Sequence, residues 1–230
     1  MNITADYYFD ECYMDYESSW SAEHLHLGYW NDDTKSHEES LISNVLEVVR
    51  LLDIQKSDHL LDIGCGNGGS CRLIAELSGN RITGITNSRI LYDKSISLSN
   101  RFKYPDLVKM HLGDFLSNSF KDEVFNKAYA IESTCHFDNK DALLKEIFRI
   151  LSPGGRLVIS DYFLCENISN ENYSMIYEDW LKGWGIPGIT TPDFYLAIMR
   201  KYGYIKLSFC NRTELIKKSC SMMSEKINRF

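Results

Sequence analysis

Residues 60–70 read Leu-Leu-Asp-Ile-Gly-Cys-Gly-Asn-Gly-Gly-Ser, a short apolar run that ends in Gly64, Gly66, Gly68 and Gly69. Glycines at this spacing let something approach the backbone where side chains would exclude it. A turn of this kind between a strand and a helix can cradle a phosphate, a dinucleotide or another nucleoside ligand. A phosphate loop would continue as Gly-Lys-Ser/Thr, and this one does not. A dinucleotide site would need an acidic residue about 20 positions beyond the glycines. Residues 82–88 here are Ile-Thr-Gly-Ile-Thr-Asn-Ser, with no carboxylate at the end of the second apolar run. Two further features sharpen the choice. Asp62 lies within the end of the first run, and Gly113-Asp114-Phe115 follows the third.

These groups need a scaffold, and the flanking periodicities describe one. Ser36 and Glu39 form a capping box, and Leu41, Val45, Val48 and Leu52 recur at helical spacing, which predicts a helix of about four turns. Residues 59–64 predict a buried strand, 70–77 a helix that stops near Gly79, 81–86 a strand, 89–102 a helix and 107–115 a strand. Residues 124–134 predict another strand, 141–151 a strong helix ended by Ser152-Pro153-Gly154-Gly155, and 155–163 a fifth strand. Alternating strands and helices predict an α/β fold, a Rossmann-like and mostly parallel sheet with helices on both faces. Ligands of such sheets bind beyond the carboxyl ends of the strands, where the glycine loop sits. Residues 163–190 break the rhythm with aromatics, glycines and a proline, and read as an insertion that covers the site.

The formal net charge of −7 argues against nucleic acid as a partner. Seven cysteines, an odd number with no Cys-x-x-Cys pair, argue against a disulfide framework or a zinc site and for a reducing compartment. No apolar run reaches membrane-spanning length and no leader is visible at the amino end, so the expectation is a cytoplasmic protein without stable membrane insertion. His24 and His26 form a His-x-His pair without an acidic or cysteine partner at ligand spacing, so no metal is expected.

The combination of Asp62, the glycine loop, Gly113-Asp114-Phe115 and Leu151-Ser152-Pro153-Gly154-Gly155-Arg156 resembles the class I S-adenosylmethionine-dependent methyltransferases over about residues 55–162. The resemblance implies S-adenosyl-L-methionine as cofactor, with S-adenosyl-L-homocysteine as product. It implies that Gly64 and Gly66 let the backbone approach the methionine and ribose, and that Asp62 helps hold the methionine ammonium. It further implies that Asp114, after Gly113, accepts from the adenine amino group, with Phe115 against the ring. Where many members carry an acidic residue for the ribose hydroxyls, this chain has Thr86, Asn87 and Ser88. Thr86 and Asn87 are the candidates there, since an amide both donates and accepts.

Residues 128–136, Ala-Tyr-Ala-Ile-Glu-Ser-Thr-Cys-His, and the aromatic segment Met14–Trp30 are similar to the sterol and tocopherol C-methyltransferase group. That resemblance implies a small-molecule acceptor, methylated at carbon on an isoprenoid-like alkene. Methyl transfer from a sulfonium to an alkene leaves a carbocation, which aromatic faces and a carboxylate stabilise. Glu132 is the candidate carboxylate, His136 the candidate base, and Tyr16 the leading aromatic, with Tyr13, Trp20, Tyr29 and Trp30 as further candidates. The alternatives are N- or O-methylation of a small acceptor, or a non-methylating cyclase or binding protein that retains the cofactor site. The organisation expected is an aromatic cap over 1–35 and a methyltransferase domain over 36–230, with the lid at about 163–190. The carboxyl-terminal stretch reads as helix, strand and helix, with no candidate after Arg212 for the antiparallel strand that usually closes this fold. An uncovered sheet edge leaves room for a homo-oligomer.

Overall fold

The computed structural model describes residues 5–164 and 171–227. Five parallel strands, β1 (His59–Ile63), β2 (Arg81–Thr86), β3 (Val108–Leu112), β4 (Phe125–Ile131) and β5 (Leu151–Ser160), form a sheet of order β3-β2-β1-β4-β5. Eight helices accompany them among the described residues: α1 (Ala5–Ser19), α2 (His37–Leu52), α3 (Gly69–Ser78), α4 (Arg89–Ser99), α5 (Lys140–Ile150), α6 (Glu171–Gly183), α7 (Pro192–Tyr202) and α8 (Thr213–Ile227). The strand order reverses between β1 and β4, so the crevice opens beyond their carboxyl ends.

Strand alternation divides the apolar residues between two cores. Leu60, Ile82, Val108 and Tyr129 pack against Val45, Val48 and Leu52 of α2 and Cys71, Ile74 and Ala75 of α3. Leu61, Ile63, Ile85, Ala128 and Ala130 pack on the other face, against Leu143, Leu144 and Ile147 of α5 and Tyr195 and Ile198 of α7. Asp62 is thereby sent to the α3 side, where Cys71 meets it.

Most predicted elements form, with shorter ends. The cap of α2 differs in one bond. Ser36 Oγ accepts from the Glu39 amide at 3.1 Å, but the Glu39 carboxylate reaches the Lys35 amide at 2.8 Å, one residue before the cap. Ser152–Gly155, read as a helix stop, belongs to β5, which begins at Leu151 and pairs with β4 across a register shift between Phe125 and Lys127.

The strand expected between the last two helices does not form. Gly203 and Tyr204 donate their amides to Arg200 and Met199 and finish α7, and the Tyr204 hydroxyl donates to the Leu144 carbonyl at 2.9 Å. Lys206, at φ 53°, then turns left-handed and breaks the extended run after one residue. The described sheet therefore ends at β5. The lid stretch is partly described: α6 and the turn after it return over the sheet, while residues 165–170 lie outside the described residues. Among the described residues, no helix is long and apolar enough to cross a membrane.

Residues 20–35 run between α1 and α2 as a strap across the top of the sheet. Asn67 Nδ2 donates to the Ala22 carbonyl at 2.7 Å, and Arg72 pairs with Glu23. Ser219 of α8 accepts from the Gly28 amide and from Trp30 Nε1, both at 3.0 Å. Gly69 makes this strap fit, because a Cβ there would stand 1.8 Å from the Glu23 carbonyl oxygen. Gly69→Ala is expected to destabilise the protein by about 1–3 kcal/mol through overpacking. A lower denaturation midpoint at unchanged slope checks this; an unchanged midpoint would show that the strap yields freely.

Candidate active site

Beneath the strap a cavity of about 520 Å³ opens at the carboxyl ends of the five strands, within the size range of small-molecule sites. Asp62, Gly64, Gly66, Thr86, Asn87, Gly113, Asp114, Phe115, Glu132 and His136 come from these strand ends or the loops that follow them and line the cavity together with Tyr16 of α1, whereas Tyr13, Trp20, Tyr29 and Trp30 do not line it.

Asp62 is buried, 3% exposed. The Cys71 thiol donates to its Oδ2 at 3.3 Å and the Tyr129 hydroxyl also serves it. Both donors are neutral, and among the described residues no cation pairs with it. Burial therefore raises its carboxyl to about 7, against the lowering effect of Cys71 and Tyr129. A ligand ammonium would supply the missing positive charge.

The glycine loop is crowded first by the chain itself. Gly64 has φ +78°, and a Cβ there would sit 2.4 Å from Ser133 Cβ. At Gly66, a Cβ would be 3.2 Å from Leu25 Cδ1. The resemblance assigns both to ligand approach. They line the cavity, but the closest neighbours their bare backbones admit are β4-loop and strap side chains. At Gly113 a Cβ would meet nothing within 4 Å, so this glycine leaves a stretch of cavity wall open. Its amide donates to the Thr86 carbonyl at 2.9 Å, fixing the β3 end against the β2 end.

Thr86 is buried and Asn87 exposed at the rim. Asp114 is exposed; its Oδ1 accepts from the Leu116 amide at 2.9 Å and caps the turn Phe115–Ser117. Phe115 is buried and stands edge-on to Phe137, with centroids 6.2 Å apart. The buried carboxylate, the polar pair at the β2 end, and the carboxylate with an aromatic at the β3 end suit, in that order, an ammonium, hydroxyls and an aminated ring.

Glu132 follows β4 with φ 49°, a left-handed conformation unusual outside glycine. Its amide donates to the Ser160 carbonyl at 2.8 Å, which aims the side chain under the strap. Oε1 accepts from the Leu27 amide at 2.9 Å and Oε2 from the Tyr162 hydroxyl at 2.5 Å. Burial raises the carboxyl to about 7 even so.

His136 ends a short turn held at both poles. Asp161 Oδ2 accepts from Thr134 Oγ1 at 2.6 Å and from the Cys135 amide at 2.9 Å. Lys140, buried, donates to the carbonyls of Thr134 at 2.9 Å, Cys135 at 3.0 Å and Phe137. His136 Nδ1–H donates to the Gly185 carbonyl at 3.3 Å, which leaves Nε2 as the basic nitrogen. Burial lowers its pKa and keeps the ring neutral.

Tyr16 shares a hydrogen bond with Tyr8, hydroxyls 3.2 Å apart, and lies across from Trp184 at 6.4 Å between centroids. Burial pushes its phenol well up, so it is a neutral aromatic face. The other aromatic candidates hold the strap or α1. Trp20 Nε1 donates to the His26 carbonyl, Tyr29 pairs with Ser160 Oγ, Trp30 reaches Ser219, and Tyr13 lies near Lys94. His24 and His26 are buried beside the cavity, neutral because burial lowers them to about 4 and about 3.

Among the cavity residues that the sequence reading did not single out are Phe9, edge-on to His136 at 5.4 Å, Tyr162 and Trp184. Tyr162 was findable, since it comes two residues after β5 on the side where ligands bind. Phe9 carried no local signal, and Trp184 lies within the 163–190 stretch read as covering the site.

The methyltransferase domain family matches residues 61–159. An O-methyltransferase of Penicillium expansum is 30% identical over 209 residues, covering 88% of this chain and 73% of the relative. A sterol 24-C-methyltransferase of Eremothecium gossypii is 30% identical over 191 residues, 82% of this chain; the chain spans 51% of that relative's length. The crystal structure of the [4+2]-cyclase SpnF superposes with a TM-score of 0.85 at 22% identity, over 98% of this chain and 82% of that one, a likeness of fold.

Proposed function

The chain belongs to the methyltransferase family, and on that footing we propose that it transfers the methyl group of S-adenosylmethionine to a carbon of an isoprenoid-like alkene, through a cationic intermediate. One observation carries the proposal: Glu132 is a half-buried carboxylate held only by neutral donors, facing a chamber walled by Phe9, Tyr16, Tyr162 and Trp184.

Asp62 would hold the cofactor's ammonium, Thr86 and Asn87 its ribose hydroxyls, and Asp114 and Phe115 its adenine. When bound, the cofactor supplies an electrophilic methyl group on a sulfonium. The Leu27 amide and the Tyr162 hydroxyl hold the Glu132 carboxylate still, so its charge is in place before the acceptor becomes cationic. The Tyr16, Trp184 and Phe9 rings stabilise the same charge, by about 0.5–2 kcal/mol each when water is excluded. Glu132 then accepts the proton the cation sheds, directly or through water.

A second reading, O-methylation of a hydroxyl acceptor, is favoured by His136, whose unprotonated Nε2 is a base in the same cavity. The two readings part on where the new methyl sits. With methyl-labelled cofactor and a panel of isoprenoid, phenol and amine acceptors, mass spectrometry and carbon NMR are expected to place the label on carbon. A label on oxygen transfers the assignment to His136. An isomerised acceptor of unchanged mass would mean a cyclase.

A further inference from the structure

The charge of the cavity wall narrows the acceptor class. Glu23, Asp62, Asp114, Glu132 and Asp138 line it, and among the described residues no lysine or arginine does. The two cations buried beside it are already engaged. Arg72 donates to the Asn67 carbonyl at 2.8 Å and pairs with Glu23, and Lys140 spends its ammonium on three carbonyls of the turn that carries His136. The three histidines that line the cavity, His24, His26 and His136, are neutral and add no positive charge.

We infer that the acceptor is electrically neutral, an apolar molecule without a phosphate, diphosphate or carboxylate group. This rests on the methyl-transfer reading of the site. An anionic group entering the cavity would lose its hydration, gain no counter-charge from the wall, and face carboxylates in a medium that screens them poorly. A bidentate clamp or lysine, the usual receptors for phosphate, is not built into the lining among the described residues. The carboxylates that are present suit positive charge instead: that of the cofactor, and that which develops on the acceptor during transfer.

Matched pairs test the inference. With S-adenosylhomocysteine bound, geraniol is compared with geranyl diphosphate, and 1-naphthol with 1-naphthyl phosphate, by calorimetry and thermal shift at low and high salt. The neutral member is expected to bind at least about tenfold more tightly in each pair, with the gap narrowing as salt rises. Asp138→Lys, at the exposed rim, is expected to strengthen naphthyl phosphate several-fold, about threefold or more at low salt, and to leave naphthol unchanged. Equal or tighter binding of either phosphate ester by the wild type overturns the inference. So does no binding by all four, since a cavity of about 520 Å³ that takes neutral apolar acceptors should admit one of the two alcohols. If naphthol binds and is methylated at oxygen while geraniol is not methylated, the carbon-methylation reading falls and the charge preference stands.

Discussion

Asp62→Asn is expected to give a protein that is more stable and binds its cofactor far more weakly. The carboxyl of Asp62 is raised from 3.8 to about 7 by burial, with only neutral donors to offset it. Between those values the folded protein keeps a proton that the unfolded chain has released. Stability from this group is therefore lost as pH rises through the window; the cost is complete above about pH 7 and absent below about 3.8. A shift of that size corresponds to about 4 kcal/mol as an upper figure. The amide must find its own partners, so a gain of about 2 kcal/mol at pH 8 is expected, or about 4–8 °C in Tm for a chain of this length. His24 and His26 act in the opposite direction: being depressed to about 4 and about 3, they hold stability above 6.5 that is lost as pH falls. The difference between wild type and variant cancels them. Cofactor binding loses a buried charge partner, which costs about 2–5 kcal/mol. A loss of affinity of about a hundredfold or more is expected for S-adenosylmethionine and S-adenosylhomocysteine alike. Wild-type affinity is also expected to fall below pH 7, as the carboxyl takes up a proton, and the variant to show no such slope. Unchanged affinity in the variant would remove Asp62 from the cofactor site.

How far the site was legible depended on whether a signal was local. The capping residue Ser36, the run before Gly64 and the helix Lys140–Ile150 are written in neighbouring residues, and periodicity is enough to read them. The strand ends that carry Asp62, Gly113 and Glu132 follow from the same periodicity, because a parallel sheet puts its ligand site at those ends. What was not legible comes from contacts between distant segments. The donor to Glu132 Oε1 is an amide 105 residues away in the strap. Phe9 meets His136 only because α1 lies over the sheet. The role of Gly69 is set by a carbonyl of Glu23, and no spacing rule reports it. The failed strand after α7 is a fourth case. Its residue types favour a strand, but Lys206 adopts a left-handed turn, and the tertiary bond from Tyr204 to Leu144 prevails over β-propensity.

The same dependence on distant partners makes Glu132 the residue whose replacement should cost most turnover. Three elements fix it. The Ser160 carbonyl holds its backbone, the strap holds one oxygen through the Leu27 amide, and Tyr162 holds the other. A charge held in this way needs no rearrangement when a cation develops, and loss of one such preorganised group costs about 2.7–4 kcal/mol of barrier. Glu132→Gln keeps the shape and one acceptor oxygen but removes the charge and the proton acceptor. Turnover is expected to fall by about a hundredfold, while affinity for S-adenosylhomocysteine changes by less than about twofold. The pH profile supplies a second readout that a merely structural role would not move. Burial raises the wild-type carboxyl from 4.5 to about 7, and the reaction needs it ionised. At saturating cofactor, kcat/KM for the acceptor is expected to fall tenfold per unit below about pH 7 and to level off above it. In Glu132→Gln this limb disappears. Tyr162→Phe removes one donor and keeps the charge; it is expected to lower turnover by about tenfold or less and to move the limb upward, because an unpartnered carboxylate is harder to ionise. If Glu132→Gln loses cofactor affinity in step with turnover, Glu132 belongs to the cofactor's site. If neither changes, the carbocation mechanism loses the residue on which it rests, and His136 acting as base on a hydroxyl acceptor becomes the better account.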